Sequence, residues 1–593
     1  MKFDELLEEI GEFGPYQKRI YFLVCLTAIV GAYQSMSPVF LLEITNYRCK
    51  IPFLENDTYA VQDDHHKQLI EMFIPKLADA YSKCTLYDVH NNSSRADGNN
   101  SQRTCDAWVY DKSVIQSSGP ADFNMFCDNE ILRSHSNMID FAGALIGALV
   151  CGPLGDRFGR KKVLIGTVVM NSLLNVAIAL STDFAVFAVF NFMIGFTGMA
   201  MFMLTFVLAM EFVGPCKRTF AGVVIEYFWT AGLFLLTGLA YLIRQWRHLR
   251  LALGIPQILF VTYWCSRRSR KGVVRFFFHC ELHTGMLGIE VVEEVFRVVV
   301  GVENYKGVVY FSVPAYWSDG GCQQGLIFKF RHAYLSDDRG ERTHPWNSAV
   351  SATKGEADLR AMSEESGNVL SGVVVDGVSG VDYTETFAIN IVYYGLSLNV
   401  GNLSGDIYLN FFISSLMELL GYIVCHVLMN RVGRKTVLCS SMVLGGLTCI
   451  SSLFPLIHGN SSTGWILRAI TMAGKLGATT SFAVIYIFSA ELFPTTLRQS
   501  AMGSCSLFEG VAGMIAPYIA DLGILTKGPL QEVLPLMVFG SLSIAAGMMA
   551  ILLPETRDEQ LPETLVDAIL FGQPSPRQDQ YSDEVQVNQA SYF

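Results

Sequence analysis

The chain has 593 residues, of which 51% are hydrophobic and only 16% charged, where a soluble domain carries about 25% charged residues. That balance excludes a water-soluble enzyme. The net charge of −11 comes mainly from acids in the two tails and the loops, which gives no support to a nucleic-acid partner. Apolar runs of about 18 to 25 residues match what an α-helix needs to cross ~30 Å of hydrocarbon at 1.5 Å per residue, so the chain reads as an all-α membrane protein in a lipid bilayer.

Residues 1–19 form an acidic tail carrying Asp4, Glu5, Glu8, Glu9 and Glu12. No small-residue cleavage site follows the first span, so it is not read as a signal peptide. Spans are predicted near Ile20–Leu42, Asn137–Leu154, Val163–Leu180, Phe184–Leu208, Phe220–Ile243 and Leu249–Trp264. A second set follows near Thr386–Leu403, Ile407–Met429, Val437–Ile457, Trp465–Phe488, Leu497–Ile519 and Val533–Leu553. This divides the chain into an N-terminal half (20–264), a central segment (265–385), a C-terminal half (386–553) and a tail (554–593).

The short loops after spans 2, 4, 8 and 10 hold Arg157, Arg160, Lys161, Lys162, Lys217, Arg218, Arg431, Arg434, Lys435 and Arg498. The opposite loops hold only Arg244, Arg247 and Lys527. Basic loops face the cytosol, and with twelve spans both termini do too. The loop of residues 43–134 is then extracellular. It carries sequons at Asn56, Asn91, Asn92 and Asn99 and the cysteines Cys49, Cys84, Cys105 and Cys127. Two disulfides are expected there, with three pairings open. The other ten of the 14 cysteines show no metal-ligand spacing, and no metal or cofactor is expected.

The two halves repeat each other. Asp156-Arg157-Phe158-Gly159-Arg160-Lys161 follows span 2, and Asn430-Arg431-Val432-Gly433-Arg434-Lys435 follows span 8. Glu211 to Arg218 closes span 4, and Glu491 to Arg498 closes span 10, each an acid and a base seven apart around a proline. Two six-helix halves related by a parallel repeat suit an alternating-access carrier, whose site lies between them.

These residues resemble the major facilitator superfamily and, within it, the family that carries organic cations, carnitine and organic anions. Gly152 to Lys162 looks like the superfamily's signature between spans 2 and 3. The closer resemblance lies in Phe3 to Gly14, Ala209 to Gly214, Tyr393 to Leu398, Gly405 to Asn410, Ala490 to Arg498 and Leu553 to Thr556, together with the large loop after span 1. It implies the twelve-helix fold in two halves, no enzymatic activity and a plasma-membrane location.

The central segment does not fit. The Pro554-Glu555-Thr556 motif after span 12 predicts a Pro-Glu motif after span 6, but Trp264 runs into Cys265-Ser266-Arg267-Arg268. From there to Glu385 the chain is rich in Val and Gly and lacks helical period. A cytosolic domain and a translated intron or mispredicted exon are the two readings, the second favoured because a loop longer than about 15 residues needs a reason. Asp382, Thr384 and Glu385 stand where the cytosolic half of span 7 belongs. Span 7 is therefore expected to insert poorly, at ~2.5–3.5 kcal/mol for a central Asp.

The charged repeat predicts a gating network on the cytosolic face: Asp156, Arg157, Arg160, Glu211 and Arg218 in the first copy, and Arg431, Arg434, Glu491 and Arg498 in the second. With Asn430 in place of Asp156, the second copy should pair more weakly. Glu418 lies mid-span, where an ionisable residue is expensive unless it faces a cavity or a partner, and the resemblance puts an acid there on the cavity wall. Tyr422, one turn on, replaces a base and argues against an anion pair. Glu509 is a second intramembrane acid; the family's charge position falls instead on Gly510, about 100° around the helix. Phe141, Phe202, Trp229, Tyr393, Tyr394, Phe482 and Tyr486 are candidates to line a cation-binding cavity, since aromatic faces attract cations. Phe202, Tyr393 and Tyr486 match the family's cavity positions best. Lys475 reads as a structural partner.

No GxxxxGK[ST] loop occurs, so no nucleotide partner is expected. The expected function is polyspecific, facilitative, potential-driven transport of small organic cations. The alternatives are a carnitine-like zwitterion or organic anion transporter and, from another class, a non-transporting degenerate carrier or scaffold.

Overall fold

The structure is a computed structural model and describes residues 13–77, 80–87, 102–213, 218–260, 380–458, 464–493, 498–525 and 530–557. The sequons at Asn91, Asn92 and Asn99, most of the central segment and the C-terminal tail beyond 557 lie outside the described residues, as do the side chains of Asp156, Arg218, Asn430 and Arg498.

In the first half the helices are α1 (Pro15–Met36), α2 (Leu132–Phe158), α3 (Arg160–Ala179), α4 (Phe184–Glu211), α5 (Arg218–Leu242) and α6 (Trp246–Gly254). In the second they are α7 (380–398), α8 (Ile407–Val432), α9 (Arg434–Ile450), α10 (Gly464–Leu492), α11 (Arg498–Ala520) and α12 (Leu534–Met549). Among the described residues nine stretches are long and apolar enough to cross a membrane. Of the other three helices, α6 and α7 adjoin residues 261–379.

Local chemistry explains where the helices start. Pro15 occupies the first turn of α1, where its missing N–H costs nothing. Asp183 accepts from the Ala185 N–H at 3.1 Å to open α4, and Asp406 accepts from the Leu409 N–H at 2.9 Å to open α8. Gly159 (φ +91°) turns α2 into α3 and Gly433 (φ +111°) turns α8 into α9. Side chains resist that half of φ space, so the glycine in each copy of the basic repeat serves the same tight turn.

Small residues let the helices approach. A Cβ on Gly143 would strike the Phe192 carbonyl across α2 and α4, and one on Gly446 would strike the Gly540 carbonyl across α9 and α12. The halves meet along two seams. On one, Gly510 and Gly513 of α11 receive Leu145 and Phe141 of α2. On the other, Phe234 and Tyr241 of α5 meet Phe412 and Tyr408 of α8 at ring-centroid distances of 5.4 and 5.5 Å.

Between α1 and α2 the loop folds into a small domain. β1 (Tyr47–Cys49) pairs antiparallel with β4 (Trp108–Tyr110), and β2 (Thr85–Tyr87) pairs antiparallel with β3 (Gln102–Thr104). Disulfides Cys49–Cys105 and Cys84–Cys127 select one of the three pairings. Buried Arg48 grips Asp57, with Nη1 to Oδ2 at 3.1 Å and Nη2 to Oδ1 at 2.5 Å. His66 Nε2 meets the same carboxylate at 3.0 Å. Burial pushes the Asp57 carboxyl up, but Arg48, the Ile51 N–H and His66 outweigh it and hold the group below the usual carboxylate range. Asn56 is exposed beside this core.

The seventh helix differs from the expectation. It is already helical at 380, ahead of the expected start near 386, and its described residues run to 398, about 28 Å. Asp382 and Glu385 lie inside it, both with no exposed surface. They are buried in protein rather than in lipid, because α7 turns this face toward α10 and α11. Ser489 donates to Asp382 Oδ1 at 2.8 Å, and Cys505 Sγ lies 3.5 Å from Oδ2. Among the described residues neither carboxylate oxygen of Glu385 has a hydrogen bond of good geometry, the Ala550 N–H being the donor beside it. A buried acceptor left unsatisfied costs about 1–3 kcal/mol. Glu385→Leu should therefore raise the thermal unfolding midpoint of the purified protein in detergent. A lower midpoint would mean that Glu385 carries an attractive contact.

Candidate functional site

One end of the bundle holds two equivalent ion pairs. Arg160 of α3 pairs with Glu211 of α4, and Arg434 of α9 meets Glu491 of α10 through Nε at 3.0 Å and Nη2 at 3.1 Å. Each joins neighbouring helices of one half. The second copy is reinforced in a way that the substitution of Asn430 for Asp156 did not suggest. Glu555 accepts from the N–H groups of Arg434 (2.8 Å) and Lys435 (3.2 Å), capping α9, and Thr556 donates to Glu491 at 2.7 Å. A Cβ on Gly433 would meet that Glu555 carboxylate, whereas around Gly159 no described atom lies within 4 Å of where a Cβ would be. The exposed Arg157 guanidinium lies 5.7 Å from the Phe158 ring. Arg431 is exposed and its carbonyl accepts from Arg557.

At the opposite end of the bundle a latch joins the two halves. Arg133 of α2 pairs with Asp521, just beyond α11, and donates to Asn402 Oδ1 at 2.7 Å. Ser134 donates to Asp521 Oδ2 at 2.6 Å, and Asn402 Nδ2 reaches Asp521 Oδ1 at 3.3 Å. Nothing in the sequence reading singled out these residues, which lie at helix ends where polar residues are unremarkable.

Beneath the latch, between the halves, lies a cavity. Of the predicted aromatics, Phe141 (α2), Phe202 (α4), Trp229 (α5), Tyr394 (α7) and Phe482 (α10) line it. Phe202 and Trp229 pack edge to face at 5.1 Å, as do Phe141 and Tyr394 at 4.8 Å. Glu509 of α11 also lines it, accepting from the hydroxyls of Tyr394 (3.0 Å) and Tyr486 (2.6 Å). Gly510 borders the cavity but abuts Leu145, so only a glycine fits there while Glu509 reaches the space. Two further acids, Asp140 of α2 and Glu226 of α5, line the cavity. They escaped the sequence reading, although the rule that picked out Glu418, that an ionisable residue inside a span is costly, applies equally to both. No Lys, Arg or His is among the lining residues. Among the described residues no group of three or more His, Cys, Asp or Glu is arranged to hold a metal.

Glu418 is placed differently from the expectation that it faces the cavity. It lies within the second half, where Lys475 Nζ meets its Oε2 at 3.2 Å, and the hydroxyls of Tyr393 (2.6 Å) and Tyr422 (3.2 Å) donate to its Oε1. Lys475 also donates to Ser397 and sits 3.8 Å from the centroid of the Tyr393 ring. Tyr393 stacks on Phe482 at 4.2 Å, so Phe482 forms the wall and Tyr393 the layer behind it. Tyr486 likewise supports Glu509 without lining the cavity. The physical reason is pairing: the base missing one turn along α8 comes from α10, and a satisfied ion pair has no need of the cavity. Breaking such a buried pair from one side costs about 3–5 kcal/mol, while replacing both partners costs far less. Glu418→Gln and Lys475→Met should each lower the unfolding midpoint, and the double variant should recover much of the loss. Additive losses would show that the two residues act separately.

A sequence model of the Major Facilitator Superfamily matches residues 137–289 and 377–576. The organic cation transporter protein of Drosophila melanogaster is 31% identical over 588 residues, covering 98% of this chain and 96% of that protein. Organic cation transporter 1 of Caenorhabditis elegans is 28% identical, covering 97% of this chain and 90% of its own. The inward-open xylose transporter XylE from E. coli shares the fold at a TM-score of 0.51 and 13% identity, over 92% of this chain and 98% of that one. With the halves, their basic repeat and an interfacial cavity in place, the chain belongs to the major facilitator superfamily and, within it, to the organic cation, carnitine and organic anion transporter family: it is a multi-pass membrane transporter and not an enzyme.

Proposed function

We propose that the protein carries small organic cations by alternating access, facilitatively, across the plasma membrane, with both termini cytosolic. The observation that carries this reading is the cavity lining: three carboxylates, Asp140, Glu226 and Glu509, amid aromatic faces and with no basic residue. A desolvated cation–π contact is worth ~2 kcal/mol, and an organic anion would meet like charge on three walls. The same feature disfavours the organic anion alternative. The membrane potential drives entry at ~2.3 kcal/mol per charge per 100 mV. The latch of Arg133 and Asp521 opens as the halves rock, and the pairs Arg160–Glu211 and Arg434–Glu491 keep the cytosolic helix ends of each half together.

A degenerate, non-transporting carrier is the second reading. It is favoured by the unsatisfied Glu385 and by the absence near Gly159, among the described residues, of a carboxylate equivalent to Glu555. Uptake decides between them. Cells expressing the full chain should accumulate tetraethylammonium, more so as the interior becomes negative. Glu509→Gln should weaken apparent affinity roughly ten-fold, equivalent to about 1.4 kcal/mol. A chain that reaches the surface without cation uptake would establish the degenerate carrier, and robust dicarboxylate uptake would sink the cation reading. The orientation has its own check. Glycosidase treatment of protein made in cells should increase its gel mobility through loss of glycans at sites such as exposed Asn56, and no shift would count against an extracellular loop.

A further inference from the structure

The cavity holds more carboxyl groups than a single ammonium group can pair with. Asp140, Glu226 and Glu509 reach it from three different helices, α2, α5 and α11. Other described ionisable groups nearby leave most of them without a counter-ion. Glu418 and Lys475 cancel each other behind Tyr393. Arg250 of α6 is the cation whose field reaches Asp140, but its guanidinium donates to Asn175 Oδ1 at 3.3 Å instead. Tyr394 and Tyr486 donate to Glu509, while the Tyr422 hydroxyl gives its one proton to Glu418; all three are neutral groups and not counter-ions. Three carboxyl groups thus face one cavity, and the nearest guanidinium, that of Arg250, spends its hydrogen bond on Asn175.

Two further polar atoms point to a ligand. The Trp229 indole N–H and the Gln34 Oε1 are buried at the cavity wall without a hydrogen-bond partner, on residues only 6% and 4% exposed. Gln34 spends its amide N–H on Asn171 Oδ1 at 2.8 Å, leaving its carbonyl as a bare acceptor. Buried polar groups are normally satisfied, and those left open at a cavity wall are met by what occupies it. An acceptor next to three acids calls for N–H donors, which a protonated amine has and a quaternary ammonium lacks.

We propose that the preferred substrate is a dicationic amine, two protonated nitrogens on one flexible chain, rather than a monocation. This rests on the cation reading above and names its charge class. A monocation leaves one carboxylate uncompensated in a desolvated space, whereas a second ammonium removes that penalty.

The probes are hexamethylenediamine, n-hexylamine of the same carbon length, and tetraethylammonium, each assayed by thermal stabilisation of the purified full chain, since a ligand of the native state raises the midpoint according to [L]/Kd. The diamine should act at a concentration at least ~10-fold below the monoamine, a factor equivalent to ~1.4 kcal/mol. Asp140→Asn should shrink that advantage to below roughly three-fold, and Asp140→Glu should keep it. Equal potency of diamine and monoamine in the wild-type chain overturns the proposal whether or not the variants fold, the surplus carboxylate then holding a proton. An advantage untouched by Asp140→Asn overturns it as well. If tetraethylammonium and n-hexylamine stabilise the protein and the diamine does no better, only the dication proposal fails. If none of the three does, the cation reading fails with it.

Discussion

A charged group within the membrane must find a partner or a cavity, because hydrocarbon offers neither water nor counter-ions. That constraint organises the interior of this transporter. Glu418 satisfies it by pairing with Lys475, and the pair locks α8 to α10 inside the second half. Glu509 satisfies it through two tyrosine hydroxyls while still lining the cavity. Asp382 relies on Ser489, and Glu385, one turn along the same helix, has no well-formed hydrogen bond among the described residues. Glu418 and Asp382, whose partners hold them away from the cavity, belong to the scaffold, whereas Glu509, whose partners leave it at the cavity wall, belongs to the site.

The same sorting separates the two faces. At one end of the bundle, Arg160–Glu211 and Arg434–Glu491 are internal to their halves and tie neighbouring helices of each half together. At the other end, Arg133 of one half and Asp521 of the other share buried bonds across the seam. Halves with internal pairs and a breakable seam between them suit the alternating access proposed above. The repeat is unequal, however. The second copy carries the Glu555 cap on α9, and no described residue plays that part at α3. The position where the first copy would supply one falls in the stretch after Trp264 where the motif is missing from the sequence.

Much of this architecture was legible before any coordinates. Twelve apolar runs, the loop bases and the repeated GRK turns follow from local rules: helix length against bilayer thickness, and the φ that only glycine adopts easily at positions 159 and 433. The family resemblance rests on short motifs whose residues are neighbours in the chain. Five of the seven predicted aromatics line the cavity, because an aromatic in a span near an interfacial motif has few other places to go.

What the linear order could not convey is which side chain meets which. Lys475 stands 57 positions from Glu418, so the base that neutralises that acid is invisible along α8 and becomes evident only when α10 packs beside it. The disulfide pairing stayed open for the same reason, as four cysteines in a polar loop allow three solutions until the strands of the small domain bring Cys49 to Cys105 and Cys84 to Cys127. Glu226 and Asp140 carried a sequence signal, an acid inside a span, but their convergence with Glu509 on one space depends on the crossing of α2, α5 and α11. Composition, periodicity and motif thus determined the membrane class, the two-half topology and the family, all of which are properties of single segments. Pairing, burial and the charge of the cavity are properties of contacts between segments, and only the packed bundle decided them.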